Sequence, residues 1–392
     1  MKWASAISGD ASLDRAIEEL VERLGRELGS VEPDVVFAFA ADHAPDDVAR
    51  LAAALQPWLG DALLIGVTAS GVAGGGQEAE AGPALSLLAG VAGDAEFTLT
   101  HLEQDQLPPV AGPRQTWWDL AGTLPEQQPS FVLLADPFTF DAEHCVRGLD
   151  RAFPGAVVVG GLASGAEQPG QVRLLAGGDA HRAGALLLAC TGNLAIETVV
   201  SQGCRPVGEP LFVTDCVEQR IRSLDGRRPR EVLGELFASL DARDRELFNG
   251  RELFIGLALP GPRQVVQPGD FLVRNVLGLD ADSGDLYVGA RVPPNGVVQF
   301  HLRDGVAASE DVARRLAARN TAAPAAALMF SCVGRGEGLY GAAGHDSAQL
   351  TRACGPVPLG GFFCAGEIGP VQGATFLHGY TTVFGLVGPR KK

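Results

Sequence analysis

Two glycine-rich bends near the carboxyl end carry the residues best suited to chemistry: Ser331-Cys332-Val333-Gly334-Arg335-Gly336 and Cys364-Ala365-Gly366-Glu367-Ile368-Gly369. Each follows an apolar run long enough for a buried strand, and glycines at a strand end let backbone approach a ligand. Arg335 offers a planar fork for a carboxylate or phosphate, with neighbouring N–H groups assisting. The competing reading is an internal ion pair between Arg335 and Glu367 across the two bends. Cys332 lies where amides and a guanidinium would activate a thiol. A buried inert thiol is the alternative, and the preferred one for Cys364, which follows two phenylalanines. As a nucleophile on acyl or aldehyde-like substrates, Cys332 would need His345 or His378 as base and glycine amides as oxyanion hole. No motif fixes such a constellation, so binding is expected ahead of catalysis. Tyr380 and Thr381 add hydroxyls before the last strand. Arg303-Asp304 reads as a second polar cluster or, in preference, a solvated strand end. Asp346 reads as a helix N-cap.

These bends belong to a unit that occurs three times. The first copy runs through strand Asp34–Phe39, helix Pro45–Gln56, strand Ala62–Gly66 and strand Ala84–Gly90. The second runs through Ser130–Ala135, Asp141–Phe153, Ala156–Gly160 and Gly184–Thr191, and the third through Ala325–Ser331, Asp346–Cys354, Val357–Gly361 and Tyr380–Val387. In every copy two glycines stand five positions apart: Gly66 and Gly71, Gly160 and Gly165, Gly361 and Gly366. Duplication and the ordinary sameness of β-α-β-β units explain this equally well. Between the second and third copies lies a β-rich stretch with strands at 211–217, 219–224, 253–259, 271–279, 286–289 and 297–303, and then a helix from Ser309, its N-cap, to Arg319. Leu13–Leu28 forms an amphipathic helix with Leu13, Ile17, Leu20, Val21, Leu24 and Leu28 on its apolar face. The expected fold is α/β with mixed sheets. Two domains, 1–203 and 204–392, are built from β-α-β-β units with helices packed on the sheets.

Composition narrows the function. The formal charge of -16 repels nucleic acid and anionic lipid, and the only basic cluster is Arg390-Lys391-Lys392. A hydrophobic share of 46% without any stretch of ~20 apolar residues predicts a soluble chain. Asp10, Asp14, Glu18 and Glu19 precede any signal-like run, which predicts a cytoplasmic location. The seven cysteines lack a CxxC pair, and no His has a metal-like neighbour, so neither disulfides, metal nor cofactor is expected. The scarcity of Lys beside Arg reads as a bacterial coding bias. Gly74-Gly75-Gly76 lacks the GK[ST] ending of a phosphate loop and reads as a hairpin tip.

The ordered set Asp225-Gly226, Leu302-Arg303-Asp304, Phe330 to Gly336, Pro358 to Phe363 with Gly366 to Gly369, and Tyr380-Thr381-Thr382 resembles the C-terminal domain of the FIST family. The turn Thr68-Ala69-Ser70-Gly71 is similar to the family's N-terminal domain, so the resemblance spans nearly all of residues 30–387. It implies an intracellular sensory module for signal transduction that binds small ligands, with amino acids or their derivatives the usual suggestion. It adds Thr68 and Ser70 to the candidate ligand contacts Arg303, Cys332, Gly334, Arg335, Gly336, Cys364, Gly366, Glu367, Tyr380 and Thr381. No kinase, cyclase, chemoreceptor or F-box segment accompanies these motifs, so output is expected to pass to a separate protein partner. The ligand, a small anionic or zwitterionic metabolite, is expected in a cleft roofed by the N-terminal domain and floored by the Cys332 and Glu367 loops.

Overall fold

The computed structural model describes residues 1–29, 31–259, 269–320 and 323–390, which leaves Lys391 and Lys392 of the basic end outside the described residues. The chain divides into two compact units, Met1–Ser201 with Val312–Leu377 and Thr381–Lys392, and Gln202–Asp311 with His378–Tyr380. The chain passes from the larger unit to the smaller between Ser201 and Gln202 and returns to the larger after Asp311. That unit contains three six-stranded sheets, and the smaller one a closed barrel, so the protein has the α/β fold of mixed sheets that the sequence predicts.

Each sheet grows from a parallel pair of apolar strands: Val35–Ala41 with Leu63–Ala69, Ser130–Ala135 with Val157–Leu162, and Ala326–Cys332 with Leu359–Cys364. These runs are almost wholly buried, as strands covered on both faces require. A helix joins each pair, Pro45–Leu59, Ala142–Ala152 and His345–Cys354. An antiparallel strand then lies against the first member: Ala84–Val91, Ala185–Gly192 and Thr381–Gly388. The expected elements are therefore present in order.

The hairpins after the second parallel strands follow one rule in all three repeats. Val72–Gly74 and Gln77–Ala79 of the first repeat extend the third sheet, pairing with Leu359–Cys364. Leu174–Ala176 and Asp179–His181 of the second repeat extend the first sheet, and Gly366–Val371 of the third repeat extends the second. The exchange is cyclic and every copy obeys it. The three units are thus alike in strand exchange as well as in element order.

The repeated glycines have a packing cause. A Cβ at Gly66 would sit 2.2 Å from the Ala38 carbonyl oxygen, one at Gly160 1.9 Å from that of Leu133, and one at Gly361 2.0 Å from that of Met329. The first glycine of each pair thus lets two parallel strands close up, and its role is strand contact rather than ligand approach. The inner sheet faces share one apolar cluster containing Phe37, Phe39, Val132, Leu134, Leu328 and Phe330. Helix Leu13–Leu28 covers the first sheet with Leu13, Ile17, Leu20, Leu24 and Leu28 buried and Val21 partly so, each full burial worth ~1.5–3 kcal/mol.

In the smaller unit the barrel strands run in the order Cys204–Val217, Arg220–Leu224, Leu286–Val288, Phe271–Leu279, Leu253–Ala258 and Val297–Arg303. The helix expected to start at Ser309 starts at Gly305. The Asp304 carboxylate accepts from the N–H groups of Val306 at 3.0 Å and Ala307 at 3.3 Å, so Asp304 supplies the cap. Gly74-Gly75-Gly76 is a hairpin tip, with Gly75 and Gly76 at φ 55° and 77°.

Candidate functional site

The two bends of the third repeat do meet. Cys332 lies opposite Cys364 in the parallel ladder, and the Val333 N–H donates to the Cys364 carbonyl at 3.0 Å. The backbone then turns, with Arg335 N–H donating to the Cys332 carbonyl at 2.9 Å and Gly334 N–H to the Cys332 sulfur at 3.4 Å. This turn sends the Arg335 side chain inward, where the residue is only 2% exposed.

The carboxylate that grips Arg335 is Asp346, where the sequence suggested Glu367. Arg335 Nε lies 2.8 Å from Asp346 Oδ2 and Nη2 lies 3.1 Å from Oδ1, a two-pronged pair. Tyr340 completes it, accepting from Arg335 and donating to Asp346 Oδ1 at 3.0 Å. Asp346 is also not the N-cap that its position suggested. Gly344 holds that place, and Asp346 is buried in the first turn. Burial pushes the Asp346 carboxyl up, but the Arg335 charge and hydrogen bonds from His345 and Arg335 overcome this and hold it well below its ordinary range. His345 is committed to this cluster, its ring stacked on Tyr340 at 3.6 Å and Nδ1 3.2 Å from Asp346 Oδ1.

Two further acids reach the cluster from the first repeat's exchanged hairpin, and sequence reasoning missed both. Glu78 Oε1 accepts from Ser347 N–H at 2.6 Å, and Glu80 Oε2 from Glu337 N–H at 2.7 Å. Burial, then the negative charge of Asp346, pushes Glu78 up to about 7. Gly336, at φ 62°, leaves room for Glu80, whose carboxylate would lie 2.1 Å from a Cβ there. Nothing local to Gln77–Ala79 announces a partner in the third repeat.

Glu367 is 0% exposed. Its Oε2 accepts from Thr381 N–H at 3.1 Å, while Oε1 has no hydrogen-bond partner among the described residues. Burial pushes its carboxyl up to about 8 against the pull of the Thr381 N–H, the Cys332 thiol and the Arg335 charge. Cys364 is fully buried and pushed well above its ordinary value by burial. Gly366 pairs with Leu162 in the second sheet. Cys332, Gly334, Arg335, Gly336, Cys364, Gly366, Glu367 and Thr381 thus share one largely buried neighbourhood.

Thr68 borders something different, an open cavity of about 300 Å³ lined by Asp42, His43, Thr68, Ser164, Glu167 and Gln171 among others, while Ser70 lies behind it. It opens beyond the carboxyl ends of Val35–Ala41 and Leu63–Ala69, the usual place for a ligand in such sheets. Thr68 Oγ1 accepts from Arg173 N–H at 3.0 Å and keeps its own hydrogen to donate. Ser164 Oγ accepts from Ser70 N–H at 2.9 Å, lies 3.1 Å from Ser70 Oγ, and donates to the Phe363 carbonyl. The cavity wall therefore joins all three repeats. His43, unremarked in the sequence because nothing flanks it at motif spacing, has a buried Nε2 without a hydrogen-bond partner among the described residues. Burial lowers its pKa against the pull of Asp47, Asp42 and Asp10, so the imidazole is neutral at neutral pH.

The remaining candidates belong to the smaller unit. Tyr380 packs on Phe254 with ring centroids 4.3 Å apart and its hydroxyl donates to Asn275 Oδ1 at 2.9 Å. His378 is buried. Arg303 pairs with Glu252 at 2.5 and 2.9 Å. Asp304 is 2% exposed and receives Arg205 Nε at 2.8 Å and Arg243 Nη2 at 2.7 Å, so the expected solvated strand end is instead a buried ionic node. Among the described residues no His, Cys, Asp and Glu group is arranged to hold a metal ion, and no helix is long and apolar enough to cross a membrane.

Comparison with known proteins agrees with the motifs. The FIST N domain model matches residues 34–227 and the FIST C domain model residues 230–370. The chain belongs to the FIST family, whose domains are associated with sensory signal transduction. An uncharacterised protein of Mycobacterium tuberculosis H37Rv is 34% identical over 394 residues, covering 98% of this chain and 99% of its own. An uncharacterised protein of Mycobacterium bovis is 32% identical over 381 residues, covering 95% of each. A crystal structure of a cyanuric acid hydrolase from A. caulinodans covers 100% of this chain and 99% of its own at 10% identity and a TM-score of 0.39, too distant to bear on activity.

Proposed function

We propose that this protein is a cytoplasmic small-ligand sensor that takes an amino acid or related small carboxylate in the Thr68 cavity and passes its signal to a separate protein partner. A volume of about 300 Å³ suits a ligand of that size. His43 and the Thr68 hydroxyl can donate to a carboxylate, and the exposed carboxylates of Asp42 and Glu167 can receive an ammonium group. Arg335 is already closed on Asp346, which favours the cavity over the Arg335 fork as the ligand's seat. The observation that carries the reading is the unpartnered, buried Nε2 of His43 in the lining of a cavity at strand carboxyl ends. Ser164, bonded to both Ser70 and the carbonyl of Phe363, supplies a route from occupancy to the third repeat.

The test is a melting-shift screen over amino acids and small organic acids at millimolar concentration. The reading requires a ligand that stabilises the wild type and loses that effect in His43→Ala and Thr68→Val. Absence of any shift, or a shift indifferent to both substitutions, defeats it.

A further inference from the structure

Cys332 and Cys364 are opposite residues in the parallel pairing of Ala326–Cys332 with Leu359–Cys364, so both side chains leave the same face of the sheet. Opposite residues on neighbouring strands have Cα atoms ~5 Å apart, inside the ~4.4–6.8 Å window over which a disulfide closes. Both are thiols in this structure. A Cβ on Gly161 would come 2.3 Å from the Cys364 sulfur, so the glycine of the second sheet leaves the space this sulfur fills. The two thiols differ in access. Cys332 is 7% exposed at a strand end beside Val333, which is 52% exposed, while Cys364 is 0% exposed within the apolar core.

We propose that Cys332 and Cys364 are a redox pair, in which a hydroperoxide oxidises Cys332 and Cys364 resolves the product to a reversible intrachain disulfide. In the first step the Cys332 sulfur attacks one peroxide oxygen, the O–O bond breaks, and the thiol proton ends on the leaving oxygen, giving an alcohol or water and a Cys332 sulfenic acid. Glu367, in contact with the Cys332 thiol, is placed to relay that proton. In the second step the Cys364 sulfur attacks the sulfenic sulfur, the S–S bond forms, and the hydroxyl leaves as water with the Cys364 proton. Two electrons pass from the thiol pair to the peroxide. Ladder spacing of ~4.8 Å exceeds the ~3.8 Å between Cβ atoms that an unstrained disulfide prefers, so the bond is strained and easily reduced. This pair would add an oxidant input to the sensor, and it does not depend on the Thr68 cavity.

The experiment is limited oxidation of the native protein with hydrogen peroxide, followed by non-reducing peptide mapping. The expected product is a Cys332–Cys364 cross-linked peptide lighter by two hydrogens and reversed by dithiothreitol, forming about tenfold faster than any change at Cys145 or Cys190, which are more deeply buried than Cys332. Cys364→Ser is expected to stop at a sulfenic acid on Cys332, trapped by dimedone, and Cys332→Ser to leave Cys364 unmodified. Mapping the wild type alone decides the matter if either variant fails to fold. The proposal is overturned if another cysteine reacts first, if Cys332 proceeds to sulfinic acid without cross-linking, or if no thiol reacts until the protein unfolds.

Discussion

The turn after the second parallel strand is built alike in the three repeats and used in two ways. In the first and second repeats it carries Ser70 and Ser164, which meet at 3.1 Å beside an open cavity. In the third, an exposed Ala365 stands where Ser70 and Ser164 do, and the residues flanking the turn, Cys364 and Glu367, are both sealed from solvent. The backbone position is fixed by the same strand contacts at Gly66, Gly160 and Gly361. The side chains around the turn therefore decide whether it borders an open cavity or a closed, buried electrostatic cluster.

The sharpest way to break this contrast is to disturb each side of it. Arg335→Leu removes the cation from a buried Asp346 and is expected to cost about 3–5 kcal/mol of stability in urea unfolding. Ser70→Ala removes one hydroxyl from the open turn and is expected to cost about 1 kcal/mol. Equal losses at both would show that the third repeat's buried cluster is no more tightly held than the open turn. Next in size are Gly66→Ala, Gly160→Ala and Gly361→Ala, each of which drives a methyl into a backbone carbonyl. About 1–3 kcal/mol apiece is expected, and one neutral member of the trio would show that the repeats are not equivalent.

A pH series sharpens the third-repeat side. Glu367 is pushed up to about 8 from an ordinary 4.5, so the folded chain keeps a proton that the unfolded chain has already lost. Its contribution to stability is therefore complete below about 4.5 and declines as pH rises to about 8. Glu78, at about 7, adds to the same slope. Glu367→Gln stays neutral, and its urea midpoint is expected to fall less steeply across that window than the wild type's. An unchanged slope would mean that Glu367 is ionised throughout.

The three repeats and nearly all their strands were legible because buried parallel strands are continuous apolar runs and the turn glycines recur in register. The hairpin exchange was not, since the choice of a pairing partner is non-local and a short strand such as Gln77–Ala79 carries no address. That gap explains why Glu78 and Glu80 were missed. Asp346 was misread because an acid at the start of a helix is usually a cap, and only the fold reveals that Arg335 lies within reach. Asp304 was misread for the mirror-image reason, its partners Arg205 and Arg243 being distant in sequence. His43 had no motif to mark it, and only the cavity gives it a role.

Thr68→Val is the mildest change expected here. Its hydroxyl accepts one backbone N–H, so its loss is expected to cost about 0.5–1.5 kcal/mol while leaving the fold intact. That makes it the right partner for the decisive measurement, calorimetric titration of wild type and Thr68→Val with the amino acids and small carboxylates that shift the melting point. The account predicts a wild-type affinity weakened about tenfold or more in the variant, as loss of a ligand hydrogen bond implies. Equal affinity in the two proteins would contradict it and remove the cavity from the function.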